Sequence, residues 1–199
     1  MHNAIARAAD WIRQGGVVVV PTETFYGLAA DPFRPDAVAA VFDLKGRPAA
    51  MALPLVAASV EQIERCIGPL TEHTARLARE FWPGPLSLIL DAPSSTAPAV
   101  HGGTMTVAIR VPAHPMARLL AGACGHPVTA TSANRTGEPA PVDVAGVGAL
   151  ARDPRVLVLD GGQTPGGAPS TIVDARSTPI RIVREGAVSA ERVLRSIHE

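Results

Sequence analysis

The chain has 199 residues, 47% of them hydrophobic and 18% charged, a balance that builds a full core and excludes intrinsic disorder. Its formal net charge is zero, whereas proteins that grip nucleic acid carry a basic excess for phosphate contacts, so stable nucleic-acid binding is not expected. Cys66 and Cys124 show no CxxC spacing and the six histidines form no HxxxH or HExxH pair, which argues for reduced thiols and against a metal held by protein side chains alone.

Residues 1–16 contain no long apolar core and include Asp10, so they do not read as a signal peptide. No apolar run reaches membrane-spanning length, and a cytoplasmic protein without membrane contact is expected. A helix is predicted over 3–14, capped by Asn3, with Ile5, Ala8, Ala9 and Ile12 on one face and Gly15-Gly16 ending it. Val17–Val20 is a continuous β-branched run stopped by Pro21, the pattern of a central strand covered on both faces. Pro35 opens a second helix with Val38, Val41 and Phe42 along one side. Further strands are predicted at 52–56, 86–90, 105–111, 127–131, 156–159, 170–173 and 180–184. Helices are predicted at 59–66, 71–81, 114–123, 142–150 and 189–197, the last capped by Ser189. Nineteen prolines and eighteen glycines keep the elements short and the connections uneven. The expected fold class is α/β (α+β): one domain over 1–199, with helices packed on a twisted mixed sheet.

Within 105–111, Val107, Ile109 and Val111 alternate onto one face and Thr106, Ala108 and Arg110 onto the other. The first set is core. An arginine beside small residues on a buried strand needs an anion, which is either an internal Asp or Glu or a ligand.

Four polar segments could carry chemistry. Pro21–Leu28 leaves a buried strand with two threonine hydroxyls and Glu23, where ligand sites of α/β folds commonly form, although a plain turn or helix cap also uses such residues. Lys45-Gly46-Arg47-Pro48 places two cations at a helix end, where they suit either a polyanion or the helix dipole. Thr129–Gly137 is rich in small hydroxyl and amide side chains, and Ser132 lacks the GxSxG elbow of a hydrolase. Asp160–Asp174 is a glycine-rich loop running into a short strand. No GxxxxGK(S/T) or GxGxxG phosphate loop is present.

Read in order, these segments resemble the YrdC/TsaC family of threonylcarbamoyl-AMP synthases. The matching stretches are PTETFYGLAAD at 21–31, KGRP at 45–48, FWPGPLSLIL at 81–90, TVAIRVPAHP at 106–115, TSANRTGEPAP at 131–141, STIVD at 170–174 and IRIVREG at 180–186. The resemblance implies a YrdC-like domain with a large concave active-site face. It also implies synthesis of threonylcarbamoyl-AMP and pyrophosphate from ATP, L-threonine and bicarbonate or CO2, for tRNA modification completed by separate threonylcarbamoyl-transfer proteins. The family's KxR and SxN elements fall on Lys45, Arg47, Ser132 and Asn134, the implied catalytic set. Thr24, Arg110, Ala130 and Ser170 match threonine-contacting positions. Arg47, Met51, Thr106, Ser132, Ala140 and Arg184 match positions near the nucleotide. Mg2+ is expected to arrive on ATP, since magnesium favours substrate phosphates and retained water.

The chain departs from the family after KxRP. Where many members have Asn-Pro-Leu and a nearby histidine, residues 47–57 read RPAAMALPLVA, longer by two, with Met51 near the Asn position and Ala57 or a neighbour in place of the histidine. The rival readings are a related enzyme that handles another carbamoyl adenylate, and an RNA-binding or ribosome-maturation factor on the same fold.

Overall fold

A computed structural model describes residues 1–47 and 51–198. Helix α1 (His2–Arg13) buries Ile5, Ala8, Ala9 and Ile12, the predicted face. Asn3 lies inside this helix and does not cap it: the N-cap is Met1, with no side-chain cap bond. Strand β1 (Val17–Pro21) is buried at all five residues. It lies between β2 (Tyr26–Ala29), antiparallel, and β8 (Val156–Val158), parallel. The alternation of β1 divides the interior. Val17 and Val19 join the core that contains α2 (Pro35–Lys45) through Val38, Val41 and Phe42, whereas Val18 and Val20 join the core built on α1 and α6 (Pro115–Cys124).

The strands form two hydrogen-bonded sets where a single sheet was expected. One has the order β7-β2-β1-β8 and the other β10-β9-β4-β5-β3-β6. The second set is mixed. Strand β4 (Leu86–Asp91) runs antiparallel to β5 (Thr106–Arg110) and parallel to β9 (Thr171–Asp174); β5 runs parallel to β3 (Leu55–Val56); and β10 (Arg181–Arg184) closes the edge antiparallel to β9. The two sets meet at Ala130. The predicted strand 127–131 splits into β6 (Val128–Thr129), paired with β3, and β7 (Thr131–Ser132), paired with β2. The Ala130 amide between them donates to the Pro54 carbonyl at 2.8 Å.

Other differences have local causes. The strand expected at 52–56 keeps only Leu55–Val56, because Pro54 has no amide to pair and the Leu53 amide donates to Val100 of α5 (Pro98–His101). The helix expected at 142–150 is a short α7 (Val144–Val147) followed by a 3-10 turn (Gly148–Arg152), broken where Gly148 takes a φ of 61°. Strand β2 and helix α5 had no counterpart among the predicted elements. The β2 sequence YGLA is too short and glycine-containing to show alternation, and its pairing with β1 and β7 makes it a strand. At Gly27 a Cβ would lie 3.3 Å from the Thr131 carbonyl of β7, so a side chain there would press β2 and β7 apart by a few tenths of an ångström.

Helices α3 (Val60–Cys66) and α4 (Glu72–Phe81) follow the predicted spans, and α8 (Ala190–His198) ends the described chain. Ser189 caps α8 as predicted, its hydroxyl accepting from the Arg192 amide. Ser189→Ala is expected to cost about 1 kcal/mol, measured as a lower midpoint in urea at unchanged m-value. Both cysteines are free thiols, and burial pushes Cys124 up to about 12. Among the described residues, no helix is long and apolar enough to cross a membrane, and no group of His, Cys, Asp or Glu is placed to hold a metal.

Candidate active site

A cavity of about 550 Å³ opens between the two sheets, a volume in the usual range for small-ligand sites. Its floor is the six-stranded sheet, through Ile89, Thr106, Ala108, Arg110 and Ile172, and its walls are the turn before β2 and the β6–β7 switch. The alternation read from 105–111 therefore holds: Val107 and Ile109 are core, and Thr106, Ala108 and Arg110 face the cavity.

The turn between β1 and β2 is tied from within. The Thr22 hydroxyl accepts from the Thr24 and Phe25 amides, donates to the Phe25 carbonyl and lies 3.1 Å from the Thr24 hydroxyl. Tyr26 then fastens the glycine-rich loop to this wall. Its hydroxyl donates to the Gly162 carbonyl at 2.6 Å and accepts from the Gly161 amide, and burial raises its pKa. Only glycine fits at 161, where a Cβ would lie 2.7 Å from Pro21 and 2.8 Å from the Met116 sulfur.

Thr24, Arg110, Ala130 and Ser170, matched to threonine contacts, all line the cavity. So do Arg47, Met51, Thr106, Ser132 and Arg184 from the nucleotide set, with Met51 half exposed at the rim. Ala140 does not line it; its neighbour Pro141 is drawn into the fold, accepting from the Tyr26 amide. Ala57 is fully buried, with its amide on the Arg110 carbonyl, so it offers no side chain in place of the family's histidine. Pro48, Ala49 and Ala50, where the chain departs from the family, lie outside the described residues.

The KxR and SxN elements do meet in space, but their side chains divide. The left-handed cap Gly46 turns the chain out of α2, and Arg47 reaches the cavity with Nη2 on the Ala52 carbonyl at 3.0 Å and Nη1 3.5 Å from the Thr131 hydroxyl. Lys45 is only 4% exposed, and its Nζ donates to the carbonyls of Ser132 and Asn134, with Asn134 Oδ1 at 3.4 Å. Its ammonium thus staples the Ser132–Asn134 turn to α2 and is not among the cavity-lining groups, whereas the resemblance placed it in the catalytic set. The Asn134 amide is likewise turned away, donating to the carbonyls of Arg135 and Glu138.

The arginines supply the electrostatics. Arg184 donates through Nε and Nη2 to the Ser170 carbonyl, and the Ser170 hydroxyl lies 3.1 Å from that of Ser87. Arg110 donates through Nε to Glu23 Oε1 at 2.9 Å, so the internal carboxylate left open in the sequence exists, while its Nη groups bond to none of the described residues. Burial lowers the pKa of Arg47; burial and then the charge of Arg110 lower that of Arg184; burial and then Arg47 bring Lys45 down to about 8. Three arginines, Arg47, Arg110 and Arg184, thus line the cavity, with Lys45 buried behind it and Glu23 paired to Arg110, in a chain with no net charge. Cations destabilised by burial and by each other gain most from a bound polyanion. Glu23, Tyr26 and Thr131 were given no individual role in the expected site, although all three sit inside recognised motifs, and only their pairing partners show what they do.

The family model described as "Telomere recombination", for Sua5, YciO and YrdC, matches residues 10–186. The chain is 38% identical over 192 residues to the threonylcarbamoyl-AMP synthase of Pyrococcus abyssi, covering 96% of this chain and 56% of that protein. It is 39% identical over 191 residues to the threonylcarbamoyl-AMP synthase of Bacillus subtilis, covering 95% and 55%. The crystal structure of P. abyssi Sua5 complexed with L-threonine superposes with a TM-score of 0.91 at 37% identity, over 100% of this chain and 58% of that one. The chain therefore spans little more than half the length of these relatives. The fold, the ordered motifs and the match over 10–186 together establish that the chain belongs to the Sua5/YciO/YrdC family.

Proposed function

We propose that the chain is a threonylcarbamoyl-AMP synthase that joins bicarbonate or CO2, L-threonine and ATP and releases pyrophosphate. The observation that carries this reading is one cavity holding two kinds of site side by side. Thr24, Ser170 and the Nη edge of Arg110 suit a small hydroxy amino acid with a carboxylate, Arg47 and Ser132 suit phosphate, and Arg184, bonded to Ser170, stands where the two groups meet. The relatives named for this activity support it.

In this reading the threonine carboxylate lies on Arg110. The threonine nitrogen, once deprotonated, adds to CO2, and the resulting carbamate oxygen attacks the α-phosphate of ATP. A P–O bond forms, the bond to the β-phosphate oxygen breaks, and the electron pair leaves with pyrophosphate. Arg47 and Arg184 neutralise charge that builds on the phosphates, and Lys45 holds the Ser132 turn in place. Mg2+ would arrive as a companion of ATP, since magnesium favours substrate phosphates and retained water. The same proposal makes the protein cytoplasmic, without stable nucleic-acid binding, and a donor of its product to separate transfer proteins that act on tRNA.

The test is pyrophosphate release from ATP with threonine and bicarbonate omitted in turn. Release is expected only with both, and more weakly with serine, because a lost methyl contact is worth roughly 1–3 kcal/mol. Equal release without any amino acid sinks the reading, and salt-sensitive RNA binding without turnover would favour an RNA-maturation role.

A further inference from the structure

Glu23 lies between Thr22 and Thr24 in the internally bonded turn before β2, and its side chain is 12% exposed. Oε1 accepts from Arg110 Nε at 2.9 Å, whereas Oε2 is buried without a partner among the described residues. Glu23 is not on the cavity wall, but Arg110 is. A guanidinium is a rigid plane, so fixing the direction of its Nε–H also fixes where its two Nη groups point. Burial and then the charge of Arg110 lower the pKa of Arg184, so the two guanidiniums oppose each other across the cavity lining they share. The turn that carries Glu23 is itself immobilised by the Thr22 hydroxyl on one side and by Tyr26 with Gly161 and Gly162 on the other.

We propose that Glu23 is a positioning residue: it anchors Arg110 through Nε and so aims the Nη groups at the carboxylate of the amino-acid substrate, which Glu23 itself never touches. The substrate part of this inference rests on the function proposed above. A structural ion pair would stabilise the protein as a whole; a positioning pair acts on one ligand. The unpaired Oε2 supplies a clean variant, because Glu23→Gln keeps an acceptor at Oε1 and gives up no hydrogen bond at the other atom.

The experiment measures dissociation constants for L-threonine and for ATP by calorimetry, with the steady-state KM and kcat of each, in wild type, Glu23→Ala and Glu23→Gln. It also follows the Arg110 Nε–H signal by 15N NMR, assigned with Arg110→Lys. Glu23→Ala is expected to weaken threonine about tenfold, the loss of a charge-assisted hydrogen bond, with ATP changed less than about twofold. Glu23→Gln is expected to stay within about threefold of wild type for threonine and to retain a slowly exchanging Nε–H. Equal weakening of both ligands, unchanged threonine affinity in Glu23→Ala, or a Gln variant that binds threonine as poorly as the Ala variant overturns the proposal. So does a wild-type Nε–H that exchanges at the rate of a solvated arginine. If Glu23→Ala does not fold, the Gln variant and the NMR signal still decide. Absence of threonine binding to wild type would instead overturn the functional reading, and with it the substrate role assigned to the pair.

Discussion

Replacing Arg47 with alanine is expected to lower turnover roughly 30- to 1000-fold, a loss of about 2–4 kcal/mol in transition-state stabilisation, with threonine binding little changed. Arg47 is the member of the KxR pair that reaches the cavity, and among the described residues its guanidinium makes one short bond, to the Ala52 carbonyl. Its pKa is lowered by burial, so the folded protein carries this charge at a cost that a bound phosphate would offset. Charge grows on the phosphates as the bond to pyrophosphate breaks, and the lost contact should therefore appear in kcat. Steady-state pyrophosphate release over ATP and threonine titrations separates the possibilities. Wild-type turnover in Arg47→Ala would make KGRP merely the end of α2.

The second large effect is expected at Arg110. Arg110→Lys keeps the charge, yet should raise the threonine requirement at least about tenfold, equivalent to roughly 1.4 kcal/mol or more. One arginine does two things at once here: Nε holds Glu23 while the Nη edge stays open to the cavity. A lysine ammonium is a point charge, and drawn toward Glu23 it cannot also present a two-pronged edge to a carboxylate. ATP binding measured without threonine should change little. If threonine and ATP weaken together, the Arg110–Glu23 pair serves the fold; if neither changes, the carboxylate binds elsewhere.

Several parts of this site are legible in the sequence because they depend on near neighbours in the chain. The two-residue period of 105–111 sends Arg110 to the face opposite Ile109, whatever that strand pairs with. The helical period of 3–14 and the β-branched run Val17–Val20 are local in the same way, and α1 and β1 form where they are expected. The ordered motifs point to the family, and nine of the residues they single out line one cavity.

The rest depends on residues far apart in sequence, whose meeting no local pattern encodes. Residues 127–131 read as one strand because their composition does not reveal that Ala130 passes from one sheet to the other. Lys45 and Arg47 read alike, as two cations at a helix end. Folding brings carbonyls 87 and 89 residues away onto Lys45 and leaves Arg47 facing the cavity, so one is a staple and the other a candidate for phosphate. Sequence alone determined that Arg110 needs an anion, since burying a guanidinium unpaired is too costly. Tertiary structure decided that Glu23, 87 residues earlier, supplies that anion at Nε while the opposite edge of the guanidinium stays open, because only packing of the β1–β2 turn against β5 sets which donors are used.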